Sequence, residues 1–71
     1  MKIEYFKETD TLYIDLKDTP SVESRSVSRG IVLDYDENGE LTGIEIDNAS
    51  KVSDIYSLIS KSLPIRNLEM A

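Results

Sequence analysis

Apolar and polar residues alternate through the N-terminal part of the chain, and a period of two is the signature of a half-buried β-strand. Leu12, Ile14 and Leu16 alternate with Tyr13 and Asp15. A strand over Lys2 to Phe6 precedes them, and Lys7 to Asp10 forms a four-residue loop between the two. That loop length sets a register in which Tyr5 faces Leu12 and Ile3 faces Ile14. On the other face Lys2 meets Asp15 and Glu4 neighbours Tyr13, so one face is apolar and the other carries an opposite-charge pair.

Lys17 to Pro20 reads as a turn, because proline has no N–H to give to a ladder. Val22 to Ser28 is a polar segment with the composition of an edge strand. Gly30 to Asp36 and Glu40 to Asp47 flank Asn38-Gly39, a strong short-range hairpin signal. A two-residue type I′ turn there pairs Tyr35 with Thr42, Leu33 with Ile44 and Ile31 with Ile46. A three-residue loop with one bulge would instead send Leu33 and Ile44 to opposite faces, so burial favours the shorter turn.

The period changes after Asp47. Val52, Ile55, Tyr56, Ile59 and Leu63 recur at three- and four-residue spacing, which predicts an amphipathic helix from about Ser50 to Ser62. Asn48 or Ser50 supplies a cap, Asp54 suits the first turn, and Pro64 stops the helix at Leu63. The predicted fold is α+β and two-layered: a mostly antiparallel sheet of four to five strands, covered on one face by the C-terminal helix. That face consists of Ile3, Tyr5, Leu12, Ile14, Leu16, Ile31, Leu33, Ile44 and Ile46. Residues 1–64 form a single domain, and residues 65–71 form a tail that docks or frays.

Size and composition narrow the function. The 71-residue chain has no cysteine and no histidine, which removes disulfides and a tight zinc site. A domain this small without staples calls for dense packing or a partner, so a non-catalytic protein-interaction module is expected, or alternatively a self-associating structural module such as a homodimer. The formal charge of −6, with bases scattered among acids, argues against nucleic acid. No apolar run reaches the ~18 residues that span a bilayer. The N-terminus lacks a signal peptide's apolar stretch, so a cytoplasmic protein is expected.

The sharpest motif is Asp34-x-Asp36-x-Asn38-Gly39 followed by Glu45, which fits the calcium loop of an EF-hand letter for letter. An EF-hand needs a helix on each side. Here the flanks are Gly30-Ile-Val-Leu and Gly43-Ile-Glu-Ile, which are strand sequences, so an acidic hairpin is the better reading. Asp34, Asp36 and Glu45 then form an acidic patch on the face away from the helix, suited to a basic partner or a loosely held cation. Phe6 and Tyr13 fall on that same face and extend it as a candidate interaction patch. Nine serines have no histidine base, and Ser57 with Lys61 reads as a polar helix face. Acid–base chemistry would need a pocket around the carboxylates that so short a chain does not build. No catalytic residue, cofactor site or metal site is assigned.

Ile3-Glu4-Tyr5, Asp10-Thr11-Leu12-Tyr13-Ile14 and Gly30 to Asp36 occur in order, followed by Gly39, Gly43-Ile44-Glu45-Ile46 and Ala49-Ser50-Lys51. This pattern resembles the bacterial and archaeal family called domain of unknown function 2283, over residues 1 to about 52. The resemblance implies no activity, cofactor or catalytic residue. It implies an antitoxin-like role beside a small partner protein, and it marks Gly39 and Gly43 as backbone requirements. Asp10, Asp34 and Glu45 stand out as polar positions without an obvious packing role.

Overall fold

The computed structural model describes all 71 residues. Five strands and one turn of helix follow in order: β1 Lys2–Phe6, β2 Thr11–Asp15, β3 Glu23–Ser28, β4 Ile31–Tyr35, β5 Leu41–Ile46 and α1 Ala49–Val52. The strands form one antiparallel sheet in the order β1-β2-β5-β4-β3. Strands β3, β4 and β5 are consecutive neighbours, and β2 lies beside β5 by a longer connection, which is the Greek-key arrangement.

The first hairpin has the expected register, with Ile3 opposite Ile14 and Tyr5 opposite Leu12. Its four-residue loop closes on Asp10, which takes the left-handed conformation (φ 53°) that aspartate tolerates better than most residues. The polar segment Glu23–Ser28 is an edge strand on β4, with a register shift between Ser26 and Ser28.

The second hairpin departs from the two-residue turn. The Gly39 N–H donates to the Asp36 carbonyl at 3.0 Å and the Asp36 N–H donates to the Glu40 carbonyl at 2.9 Å. Gly39 has φ 77°, while Asn38 is not in the left-handed region. This is a type I turn followed by a glycine bulge, a three-residue loop. Its register change is undone two residues later: Asp34 pairs with Gly43 but Tyr35 pairs with Leu41, leaving Thr42 as an extra residue. The expected pairing of Tyr35 with Thr42 is therefore wrong. The pairs Leu33–Ile44 and Ile31–Ile46 stand, because two one-residue irregularities cancel. Thr42 is 2% exposed, and its hydroxyl donates to the Asp34 carbonyl at 3.2 Å.

The helix over Ser50 to Ser62 also needs correction. Only Ala49–Val52 is helical, and Ser53 is already extended (φ −143°, ψ 159°). The Ser53 hydroxyl bonds back to the Ala49 carbonyl, the local competition by which serine weakens helices. Ser57, Ser60 and Ser62 are residues of the same weak helix propensity, and so short an isolated helix is marginal without a surface to bury against. Tyr56 is 94% exposed, and Leu58, Ile59 and Met70 are exposed too.

No helix therefore covers the sheet, and the second layer is missing. The register places Leu12, Ile14, Ile31, Leu33, Ile44 and Ile46 on one face, all half-buried. Ala49 is the fully buried apolar residue of the chain. No helix is long and apolar enough to cross a membrane.

Candidate functional site

The polar face of the sheet is organised around Tyr13. Its ring lies across the central strand β5, and its hydroxyl donates to Asp34 Oδ2 on β4 at 2.6 Å. Ser24 on β3 donates to Asp34 Oδ1 at 2.6 Å. One carboxylate thus ties β2, β4 and the edge strand together. The crossing is possible because position 43 carries no side chain. A Cβ on Gly43 would lie 2.7 Å from Tyr13 Cζ and closer still to the hydroxyl. The hydrogen bond to Asp34 and partial burial push the Tyr13 hydroxyl up to about 12.

Asp36 plays a different part. Its Oδ1 accepts the N–H groups of Asn38 and Glu40, both at 2.9 Å, so its side chain holds the turn that follows it. Lys17 Nζ lies 3.3 Å from Asp36 Oδ2 and 2.8 Å from Glu40 Oε2. These contacts lash the connection between β2 and β3 to the tip of the β4–β5 hairpin. Asp36 is 5% exposed, and the turn's N–H donors, first that of Glu40, hold its carboxyl below the usual range.

Glu45 has neither kind of support. It stands opposite both Tyr13 and Val32. Burial, with Asp47 and Asp34 nearby, pushes its carboxyl up. No lysine or arginine forms an ion pair with it.

The carboxylates expected to form a patch are thus divided among separate tasks. Asp34 is committed to Tyr13 and Ser24, Asp36 to the turn and Lys17, and Glu45 alone is unpaired. No three acidic groups converge to hold a metal ion. Phe6 lies at the end of β1, opposite Thr11, and is 43% exposed. Two surface depressions, one lined by Met1, Lys2, Asp15, Lys17 and Asp18 and one by residues 50 and 53–57, are open and include none of Asp34, Asp36 and Glu45.

A residue outside the candidate patch proves equally structural. Asp10 Oδ1 accepts the Tyr5 hydroxyl at 2.7 Å and the Ser50 N–H at 3.0 Å, and Oδ2 accepts the Ser50 hydroxyl at 2.7 Å. Its carbonyl accepts the Ala49 N–H at 2.9 Å. Asn48, at the N-cap position, makes no side-chain cap, so Asp10 caps α1 from 40 residues away. The Tyr5 hydroxyl bond, then the Ser50 bonds, hold the Asp10 carboxyl below its ordinary value. Tyr5 in turn is raised to about 12, chiefly by that bond. Sequence spacing gives no sign of a cap supplied from another hairpin.

With this geometry in place the chain can be set beside known proteins. The family model described as "Protein of unknown function (DUF2283)" matches residues 2–50. An uncharacterized protein of Methanocaldococcus jannaschii is 38% identical over 61 residues, covering 83% of this chain and 52% of the relative. The chain therefore spans about half the length of that curated relative. No solved structure matches it. The chain belongs to the DUF2283 family, and the matched region holds the whole sheet with Asp10, Tyr13, Asp34 and Gly43.

Proposed function

We propose that this DUF2283 chain is a non-catalytic protein-interaction module that works through the apolar face of its sheet. One observation carries the reading: a face of aliphatic side chains at the centre of a five-stranded sheet has no second layer on it. A half-buried aliphatic face that no second layer completes is where soluble proteins associate. The acidic side chains support a non-catalytic role, since Asp10 in the first hairpin loop, Asp34 on the polar face and Asp36 in the second turn spend their hydrogen-bonding capacity inside the domain. The sequence pattern placed the interaction patch on the other face, beside Phe6 and Tyr13. With no helix on the apolar side, that side is the one assigned to the partner in this proposal.

Hydroxyl-radical footprinting tests this on the chain as purified natively with whatever it binds, against the isolated chain at high dilution. Leu12, Ile14, Leu33 and Ile44 are expected to be oxidised several-fold more slowly in the assembled form. Equal oxidation in both forms, or protection confined to Phe6 and Val32, overturns the proposal.

A second reading, an antitoxin-like docking of a small basic protein, draws on the net charge of −6 and on the unpaired Glu45. Such docking would use the polar face and weaken steeply with added salt.

A further inference from the structure

We infer that the apolar face is covered by a second copy of this chain, the two sheets stacked face to face as a sandwich. The inference rests on the reading of that face as the interaction surface and names its occupant. Four observations lead to it.

Surface area comes first. The chain exposes 6175 Å². A compact monomer of 8.0 kDa exposes about 4,450 Å². The excess is roughly 1,700 Å² per chain by the same scaling. The excess includes the exposed segment after α1 as well as the half-buried sheet face, and it marks a chain that closes no core of its own.

Charge placement decides between a copy and a basic partner. The central positions of the apolar face, Leu12, Ile14, Ile31, Leu33, Ile44 and Ile46, include no ionisable group, and at its β3 edge Glu23 and Arg25, in register with Tyr35 and Leu33, are paired with each other at 3.1 Å. Asp15, Asp34 and Glu45 lie in the register of the opposite face, and Asp18, Glu37 and Glu40 lie in connections. Two copies stacked on their apolar faces therefore bring no row of carboxylates together. A basic partner would find its complement on the other side.

The sheet edges favour face-to-face over edge-to-edge association. Edge strand β1 carries Lys2 and Glu4, and edge strand β3 carries Glu23 and Arg25 and is bulged between Ser26 and Ser28. Charges and bulges are the devices that blunt an edge. Aligned sheets stack about 10 Å apart, and their inner faces interdigitate without needing a free edge.

Folding supplies the last argument. The chain has no disulfide, and Ala49 is its fully buried apolar residue. Doubling the sheet turns half-buried aliphatic side chains into a core, the usual remedy for so small a domain.

The test combines mass and footprint on the full chain across a dilution series. Sedimentation equilibrium is expected to give twice the chain mass at high concentration and the chain mass on dilution. Oxidation of Leu12, Ile14, Leu33 and Ile44 should rise several-fold over the same range, with Phe6 and Val32 unchanged. A single-chain mass with the face freely oxidised throughout overturns the second copy and leaves the face open to another protein. A single-chain mass with the face protected throughout overturns both readings, because the chain's own C-terminal segment then covers it. A dimer whose concentration-dependent protection falls on Phe6 and Val32 overturns both as well.

Discussion

The hydroxyl of Tyr13 on β2 donates to the carboxylate of Asp34 on β4 at 2.6 Å, reaching across the intervening strand at Gly43. The two residues are 21 positions apart, and no spacing rule links them. The contact explains the glycine of Gly43-Ile-Glu-Ile: a side chain there would occupy the space of the tyrosine. Gly43→Ala is expected to lower stability by about 1–3 kcal/mol through overpacking. The same change in a Tyr13→Ser background should cost much less. Urea denaturation of the four-member cycle checks this, and additive effects would disconnect the two residues.

Gly39 makes an instructive contrast. Nothing lies within 4 Å of a Cβ built there, but its φ is +77°. Its requirement is backbone conformation alone. Gly39→Ala should cost about 1 kcal/mol, and Gly39→Asn less, because asparagine tolerates the left-handed region. At position 43 asparagine should be worse than alanine, since there the constraint is space. Denaturation midpoints of the four variants give the two opposite rankings.

Tyr5 and Tyr13 are both raised to about 12, each by a hydrogen bond to a carboxylate. Each favours its protonated form more in the folded than in the unfolded chain, where tyrosine titrates near 10. Their stabilisation is complete below about pH 10 and is lost as pH rises through about 12. Alkaline unfolding followed by circular dichroism should fall in that window. Tyr13→Phe should start less stable at neutral pH and lose less stability between the two values.

Asp10 and Asp36 behave in the opposite sense. Both carboxyls are held below their ordinary value, Asp10 chiefly by the Tyr5 hydroxyl and Asp36 chiefly by the Glu40 N–H. Their stabilisation is present above the unfolded carboxylate value and is lost as pH falls through the folded one. Acid should therefore weaken the α1 anchor and the β4–β5 turn together. Asp10→Asn should speed amide exchange at Ala49 and Ser50 at neutral pH. An unchanged rate would mean that α1 is held by something else.

Glu45 runs against both. Burial and neighbouring acids push its carboxyl up, so the folded chain disfavours its charge. The resulting penalty is absent below the unfolded value and grows to its full size as pH rises through the folded one. Glu45→Gln should raise the urea midpoint at pH 7 and leave it nearly unchanged near pH 3. A lower midpoint at pH 7 would show that the charged group has a partner.

What the sequence determined by itself is what depends on neighbours along the chain. Side-chain direction in a strand alternates residue by residue, so the pattern of Leu12, Ile14, Leu33 and Ile44 was enough to assign strands, faces and most of the register. The loop from Lys7 to Asp10 was equally local. Tertiary structure decided the rest. The turn at Asp36 to Glu40 is a three-residue loop because Asp36 accepts two N–H groups at once, and the register survives only because Thr42 adds a second, cancelling irregularity. Asp10, Tyr13, Asp34 and Gly43 acquired roles from strands that meet across the sheet, which no linear spacing encodes. The amphipathic pattern from Val52 to Leu63 was legible, but a pattern gives a helix only when a surface rewards it. In the single chain that pattern stops after one turn, and the apolar sheet face is left without a second layer.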